Sequence, residues 1–365
     1  MAVQARVETA ALPATEPDGS EHELLLVRRG RRTGAHTIVA VHSTVLGPAL
    51  GGCRLWRYAS LRGAIDDALR LSSAMTLKAA AAQLPLGGGK AVIFPPADLD
   101  VTGPSRQALL NDFADTLNML DGMYITAEDV GMSAADMDVL SGLSRHVVGS
   151  PAANGGSGDP GAFTAVGVLA AMRACCRARF GAPELAERSI AVVGLGHVGE
   201  PLARRLHSAG AQLILADIDA GKAALAYELG ARWLDSQDAL RADVELLAPC
   251  ALGGVIDETL SAELRAQVVC GSANNQLAAP YLADVLAARG ILYAPDFIVN
   301  SGGLINVSLE LTGYDRSVAL SRAEHIEEVL GSVLAHAEVA GVTPQAAAVA
   351  LATESIAANT AGRGG

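Results

Sequence analysis

Basic residues and charge as a whole are scarce in this chain, and each scarcity excludes something. Only 27 lysines and arginines stand against 39 acids, a net charge of -12, so the clustered cationic face that a nucleic-acid partner needs is missing. The one basic cluster, Arg28-Arg29-Gly30-Arg31-Arg32, lies between two apolar strand-like runs and reads as a solvated hairpin tip. Charged residues make up 18% and apolar residues 50%, which excludes a disordered chain and requires much buried surface. No apolar run reaches about 18 residues without Gly, Pro or charge, so no membrane span is expected. Residues 1–20, rich in Ala, Pro and Glu and read as poorly ordered at their start, lack a charged head followed by an apolar core, so no secretory leader is expected. Five cysteines show no CxxC spacing and no paired histidines, and their odd count argues against a disulfide framework. Reduced thiols in a cytoplasmic protein without a metal are the plain reading.

What is present is enough for two domains with full cores, given 365 residues. Residues 21–44 read as two strands around a turn. Leu46–Trp56, "LGPALGGCRLW", is Gly-rich and apolar and reads as a loop entering or leaving a strand. Leu61, Ile65, Ala68, Leu69, Met75 and Ala79 recur at helical spacing, and that helix must end before Pro85. Lys78 then nears its C-terminal end, while Lys90 follows a glycine turn, Gly87–Gly89, and opens the strand "AVIFPP". A second helix spans about residues 105–120, and 123–131 reads as a short strand ending in acids. The sharpest composition shift, "GSPAANGGSGDPG" at 149–161, marks the main boundary. The expected architecture is α/β with two domains and a cleft between them. Residues 1–148 carry substrate binding, the lysines and oligomer contacts; 149–335 form a Rossmann domain; 336–365 are helices returning toward the first domain.

Gly194-Leu195-Gly196-His197-Val198-Gly199 is the strongest single motif, because it follows the strand "SIAVV" and precedes a helix. Its first glycine makes the turn, its second admits a pyrophosphate, and its third packs helix on strand. Asp217, eighteen residues past Gly199, ends the next strand, where a carboxylate would accept the ribose hydroxyls. Ile218 and Asp219 follow it instead of a cation, which favours NAD over NADP. His197 and Val198 of the loop, with Ala248, Cys250 and Ala273 near later strand ends, complete the expected cofactor contacts. Lys78 and Lys90 could be ordinary surface lysines. Held against apolar residues, however, such an amine serves as base, nucleophile or anchor for an anion. The three glycines beside Lys90 would let a substrate come close. Asp129 could exchange protons with a reacting amine, or merely cap the helix that follows, although it stands far from Ser133. Asn274, Asn275, Asn300 and Asn306 lie in loops after strand-like runs and could fix nicotinamide, ribose or substrate, or could be turn residues. The histidines show no partner spacing and no Ser-His-Asp order, and Cys175-Cys176 reads as core packing.

Taken in order, "HSTVLGPALGGCRLW", "MTLKAAAAQLPLGGGKAVI", "YITAEDVGMSAADMD", "NGGSGDPG", "APCALGG", "CGSANNQLA" and "ILYAPDFIVNSGGLINV" resemble the Glu/Leu/Phe/Val amino-acid dehydrogenases across roughly residues 40–310. The similarity is nearest the leucine, valine and phenylalanine branch. It implies reversible NAD-linked deamination of an L-amino acid to a 2-oxo acid and ammonia by a homo-oligomer. It further implies that Lys78 pairs with the substrate carboxylate, that Lys90 is the base activating water, and that Asp129 shuttles protons to nitrogen. Asn274 or Asn275 would contact substrate and cofactor, Thr164 the nicotinamide amide, and Asn300 the cofactor. Gly51 would line the substrate site, and Leu50, Met75, Ala127, Leu304 and Val307 its side-chain pocket. Those five are apolar, which argues against a glutamate substrate; the bulk of Leu50 and Leu304 tilts toward Leu, Val or Ile over phenylalanine. Cys53 stands where the family has Thr, an expected source of thiol sensitivity. Two readings of another kind are a 2-hydroxy-acid dehydrogenase, which would need a catalytic histidine, and a non-catalytic NAD-binding regulator, which would have lost Lys78, Lys90 or Asp129.

Overall fold

A computed structural model describes residues 22–363, so the first 20 residues, read above as poorly ordered at their start, lie outside it. The described chain falls into two compact units: one takes in residues up to Thr76 and Pro85–Ser150, the other Leu77–Leu84 and Pro151 onward.

The first unit is built on five strands, β1 (Leu24–Arg29), β2 (His36–Ser43), β3 (Ala49–Leu55), β4 (Gly87–Phe94) and β5 (Tyr124–Glu128), ordered β1-β2-β4-β3-β5. β1 and β2 form the antiparallel hairpin, β2 is antiparallel to β4, and β3 runs parallel to both β4 and β5. Helix α1 (Leu61–Ala81) covers one face through Ala64, Ile65, Ala68 and Leu69 against Ile38, Ala40 and Val92. Helices α2 (Gly103–Met119) and α3 (Ala134–Ser141) cover the other around Phe113, Leu117, Tyr124 and Met137. Sheets buried on both faces run apolar on both.

Two local readings are corrected here. Leu46–Trp56, expected as a loop adjoining a strand, is itself mostly strand β3, and Gly87–Gly89 is not a turn but the start of β4. The glycines are there for contact: a Cβ on Gly87 would meet Ser43 O at 1.9 Å, on Gly88 Thr76 N at 2.1 Å, and on Gly89 the Tyr124 ring at 2.6 Å. The space beside them is filled by protein, so they do not clear a path for substrate, and Lys90 sits inside the strand. The basic cluster is the hairpin tip expected, with Arg29, Arg31 and Arg32 exposed, but two of its arginines are also bonded to the unit. Arg32 Nη1 donates to Asp112 Oδ1 at 3.0 Å and to Asp115 Oδ2 at 2.8 Å, and Arg28 Nη1 donates to Asp112 O at 2.9 Å, binding the hairpin to α2.

The second unit holds a six-stranded parallel sheet. Its strands are β6 (Ser189–Val193), β7 (Gln212–Ala216), β8 (Arg232–Trp233), β9 (Leu246–Pro249), β10 (Val268–Val269) and β11 (Leu292–Tyr293), ordered β11-β10-β9-β6-β7-β8. The order reverses between β6 and β9, the place where doubly wound sheets bind dinucleotides. Helix α4 (Gly161–Phe180) is long and apolar enough to span a membrane by composition, with an 18-residue hydropathy of 1.2, yet 72% of that stretch is buried inside the unit. The boundary expected at residue 335 falls inside a continuous helix, Ile326–Ala340, and the C-terminal helices group with the second unit.

Candidate active site

Strand register gathers the first cluster. Leu50 pairs with Gly88 and with Ile125, Arg54 with Val92, and Gly52 with Ala127. Because side chains alternate, Leu50, Gly52, Arg54, Lys90 and Ala127 share the α1 face, with Asp129 just beyond the end of β5. A Cβ on Gly52 would lie 2.7 Å from Asp129 Cβ, so glycine is what admits the carboxylate. Lys90 Nζ donates to Asp129 Oδ2 in a close ion pair, with the lysine side chain 8% exposed and the aspartate 22%. Burial alone would push the Asp129 carboxyl up, but Lys90 and Arg54 outweigh it and hold the group below the ordinary carboxylate range. Asp129 caps no helix: Ser133 is the N-cap of α3, in a capping box with Asp136.

Two members of this network carry no signal of their own in the sequence. Arg54 Nε lies 3.3 Å from Asp129 Oδ2, and its Nη1 2.8 Å from Asp67 Oδ2 on α1. Strand alternation could have found Arg54, since it falls four residues from Leu50 on the same face; Asp67 looks like any surface acid on a helix. Cys53 points the opposite way into the core, fully buried, and burial pushes its thiol well up. The expected thiol sensitivity therefore has no support at this residue.

The second cluster lies in the second unit, which includes the end of α1 from Leu77. Lys78 Nζ donates to Asn274 Oδ1 at 3.1 Å, and Asn300 Nδ2 donates to the same oxygen at 2.8 Å and to Ser272 O at 3.2 Å. Asn275 takes a left-handed φ of 51° and its carbonyl accepts from Gly254 N at 2.6 Å. Beneath them Asp296, not singled out by sequence, accepts from Gln276 N at 3.0 Å, and burial pushes its carboxyl up. Asn306 lies away from this group, in the core, donating to Ser157 O at 3.3 Å. Leu304 and Val307, one turn apart on the helix Gly302–Ser308, are both nearly buried. Met75 on α1 is half-buried.

The glycine loop divides its labour. Gly194 adopts φ 100°, and a Cβ on Gly199 would stand 1.8 Å from Gly194 O, so strand β6 and helix α5 (Gly199–Ser208) meet in backbone contact. A Cβ on Gly196, in contrast, meets nothing within 4 Å. Asp217 follows β7; its Oδ2 accepts from Leu195 N at 2.6 Å and its Oδ1 from Asp219 N at 2.9 Å, which locks the carboxylate to the loop. His197 is exposed, with Nδ1 3.0 Å from Asp159 Oδ2, and Val198 is half-buried. Ala248 and Ala273 are buried, Cys250 N donates to Val193 O at 2.8 Å, and Thr164 Oγ1 donates back to Pro160 O at 3.0 Å. A dinucleotide fits this arrangement on two observations: the open space over Gly196, and Asn300 Oδ1, which is buried without a hydrogen-bond partner among the described residues and suits a carboxamide donor. No group of three or more metal-ligating side chains occurs among the described residues.

Comparison with known proteins agrees with both halves. Residues 25–146 match the Glu/Leu/Phe/Val dehydrogenase dimerisation domain, and residues 215–364 match the glutamate/leucine/phenylalanine/valine dehydrogenase family. The chain is 41% identical to leucine dehydrogenase of Geobacillus stearothermophilus, covering 92% of this chain and 91% of that one. It is 39% identical to valine dehydrogenase of Streptomyces virginiae, covering 92% and 94%. The crystal structure of L-tryptophan dehydrogenase from Nostoc punctiforme superposes with a TM-score of 0.80 at 36% identity, covering 92% of this chain and 96% of that one. The chain belongs to the Glu/Leu/Phe/Val dehydrogenase family and is an amino-acid dehydrogenase, an oxidoreductase.

Proposed function

We propose that this protein catalyses the reversible, NAD-dependent oxidative deamination of an apolar L-amino acid, with leucine, valine or isoleucine preferred, to the 2-oxo acid and ammonia. The observation that carries the reading is the Lys90–Asp129 pair, an amine and a carboxylate held in contact and largely shielded from solvent. Lys78 supplies the cation for the substrate carboxylate. A nicotinamide dinucleotide, when bound, accepts the hydride from the substrate Cα. Its phosphates would lie over Gly194–Gly199, its ribose against Asp217, and its carboxamide toward Asn300, with Thr164, His197, Val198, Ala248, Cys250, Ala273 and Asn274 as further contacts. Lys90, as the free amine, takes a proton from water as that water adds to the imine carbon. Asp129 then relays the proton gained by Lys90 to nitrogen, and ammonia leaves as the carbonyl forms and the hydroxyl proton returns to Lys90.

NAD is favoured over NADP because Asp217 and Asp219 would oppose a 2′-phosphate, and the near cation, Lys222, is engaged 3.0 Å from Glu200. In this reading the substrate contacts are Gly51, Leu50, Met75, Ala127, Asn275, Leu304 and Val307. None of these carries a cation for a glutamate side chain. The match to a dimerisation domain supports a homo-oligomer, and five free cysteines support a reducing, cytoplasmic setting.

The test is consumption of NADH with ammonia and a panel of 2-oxo acids bearing leucine, valine, isoleucine, phenylalanine, tryptophan and glutamate side chains. Branched substrates should turn over fastest and glutamate's 2-oxo acid slowest. NADH binding without reduction of any of them would overturn the reading.

A further inference from the structure

We propose that Arg54 is a positioning residue for this reaction: from β3 it holds the Asp129 carboxylate against Lys90, and Asp67 holds Arg54 in turn. The inference rests on the roles just given to Lys90 and Asp129 and deepens them. All four groups lie in the first unit. Lys90 and Arg54 converge on one oxygen, Asp129 Oδ2. Arg54 is fixed from behind by Asp67, whose Oδ2 also accepts from Tyr58 OH at 2.5 Å and whose Oδ1 accepts from Arg70 Nη2 at 2.7 Å. Arg54 and Asp67 side chains are 23% and 15% exposed, far from the solvated surface pairs that contribute little.

The reason for a second cation lies in the proton cycle. When Lys90 serves as base, it begins as a neutral amine, and its pairing with Asp129 then supplies no charge. A guanidinium does not titrate in the working range, so Arg54 remains the counter-charge that keeps Asp129 ionised through that step. Without it, the proton of the Lys90 ammonium can pass to Asp129, leaving a neutral amine beside a neutral acid and no carboxylate to relay the next proton. The other titratable groups acting on Asp129 or its immediate neighbours are Cys53 and Tyr124, both fully buried, and Asp136 of α3, which acts on Cys53.

The test is kcat and KM against pH for Arg54→Gln, Arg54→Lys, Asp67→Asn and Asp129→Asn, with thermal unfolding of each. In Arg54→Gln the acid limb of kcat should move up by at least about one pH unit, because an opposite charge at this range lowers a carboxyl by roughly 1–3 units. kcat should fall about tenfold, a fraction of what an acid–base group contributes, while KM for the amino acid stays within about twofold. Arg54→Lys should return the limb toward its original place, and Asp67→Asn should shift it in the same direction by less. An unmoved limb in Arg54→Gln, whatever the loss of kcat, overturns the proposal; if that variant does not fold, an unmoved limb in Asp67→Asn does. A fully active Asp129→Asn would sink the underlying reading of the pair, a result separable from failure of the Arg54 role alone.

Discussion

Gly196 and Gly199 stand three residues apart in one loop, and a methyl on each should report on a different property. At Gly199 the added carbon would sit 1.8 Å from Gly194 O, a backbone atom that cannot swing aside. Overpacking of that kind costs about 1–3 kcal/mol. Each kcal/mol lowers the melting temperature of a unit of this size by about 2–4 °C, so Gly199→Ala should melt roughly 2–12 °C below wild type. At Gly196 nothing lies within 4 Å of the new carbon and φ is not positive, so Gly196→Ala should be neutral or gain up to about 1 kcal/mol through a less flexible unfolded chain. What its methyl would meet is a pyrophosphate drawn close to the loop amides. Losing one hydrogen bond to a charged group costs about 1.5–3 kcal/mol, which raises the NADH Kd roughly 10- to 150-fold. Thermal unfolding and a fluorescence titration with NADH on the same preparations separate the two effects. NADH affinity within about twofold of wild type in a stable Gly196→Ala protein would refute the assignment of this loop to the phosphates.

Lys90→Ala should lose about 10²–10⁴-fold in kcat while binding NADH almost normally; turnover above about a tenth of wild type would remove the base role. Asp217→Ser should weaken NADH and narrow its preference over NADPH, each by about tenfold as one charge-assisted hydrogen bond and one repulsion are lost; paired Kd measurements for the two cofactors check this. Asp112 accepts from Arg32 N, Thr33 N and Thr33 Oγ1. Burial opposes its charge, but these bonds outweigh burial and hold the carboxyl below its ordinary value. Its contribution is therefore present above the unfolded value near 3.9 and is lost as pH falls through the lower folded value, so Asp112→Asn should flatten the decline of Tm below about pH 4. A Tm curve in acid that parallels wild type would show that Asp112 is not part of that decline.

What could be read from the sequence divides by the range of the forces involved. Strand, glycine turn, helix and Asp217 were legible because each requirement is met within about thirty residues: Gly194 needs its φ, Gly199 needs a helix against its own strand, and Asp217 binds Leu195 N. The Lys90–Asp129 pair came from resemblance and not from spacing, since thirty-nine residues separate them. The bonds that Arg28 and Arg32 make could not be read locally, because their partners lie 80 to 88 residues away on α2. Arg54 escaped notice for another reason: strand alternation puts it on the face of Leu50, but only where residues 49–55 are read as strand.

The glycines at 87–89 show the same limit and carry a consequence for the site. Local chemistry makes three glycines a turn, whereas here a Cβ on Gly88 would strike Thr76 N at 2.1 Å and Ser72 O at 2.6 Å, both on α1. Glycine in a strand interior weakens it by entropy and lost packing, a cost offset only if something gains from the close approach. What gains is the seating of α1, which brings helix backbone onto β4 at Gly88. Two residues further on, the same face holds the Lys90 side chain as it reaches Asp129. α1 also carries Met75, Lys78 and the Asp67 that fixes Arg54. The glycines thus serve the site by placing this helix, not by opening a way to Lys90, so a methyl at Gly88 should disturb several site residues at once.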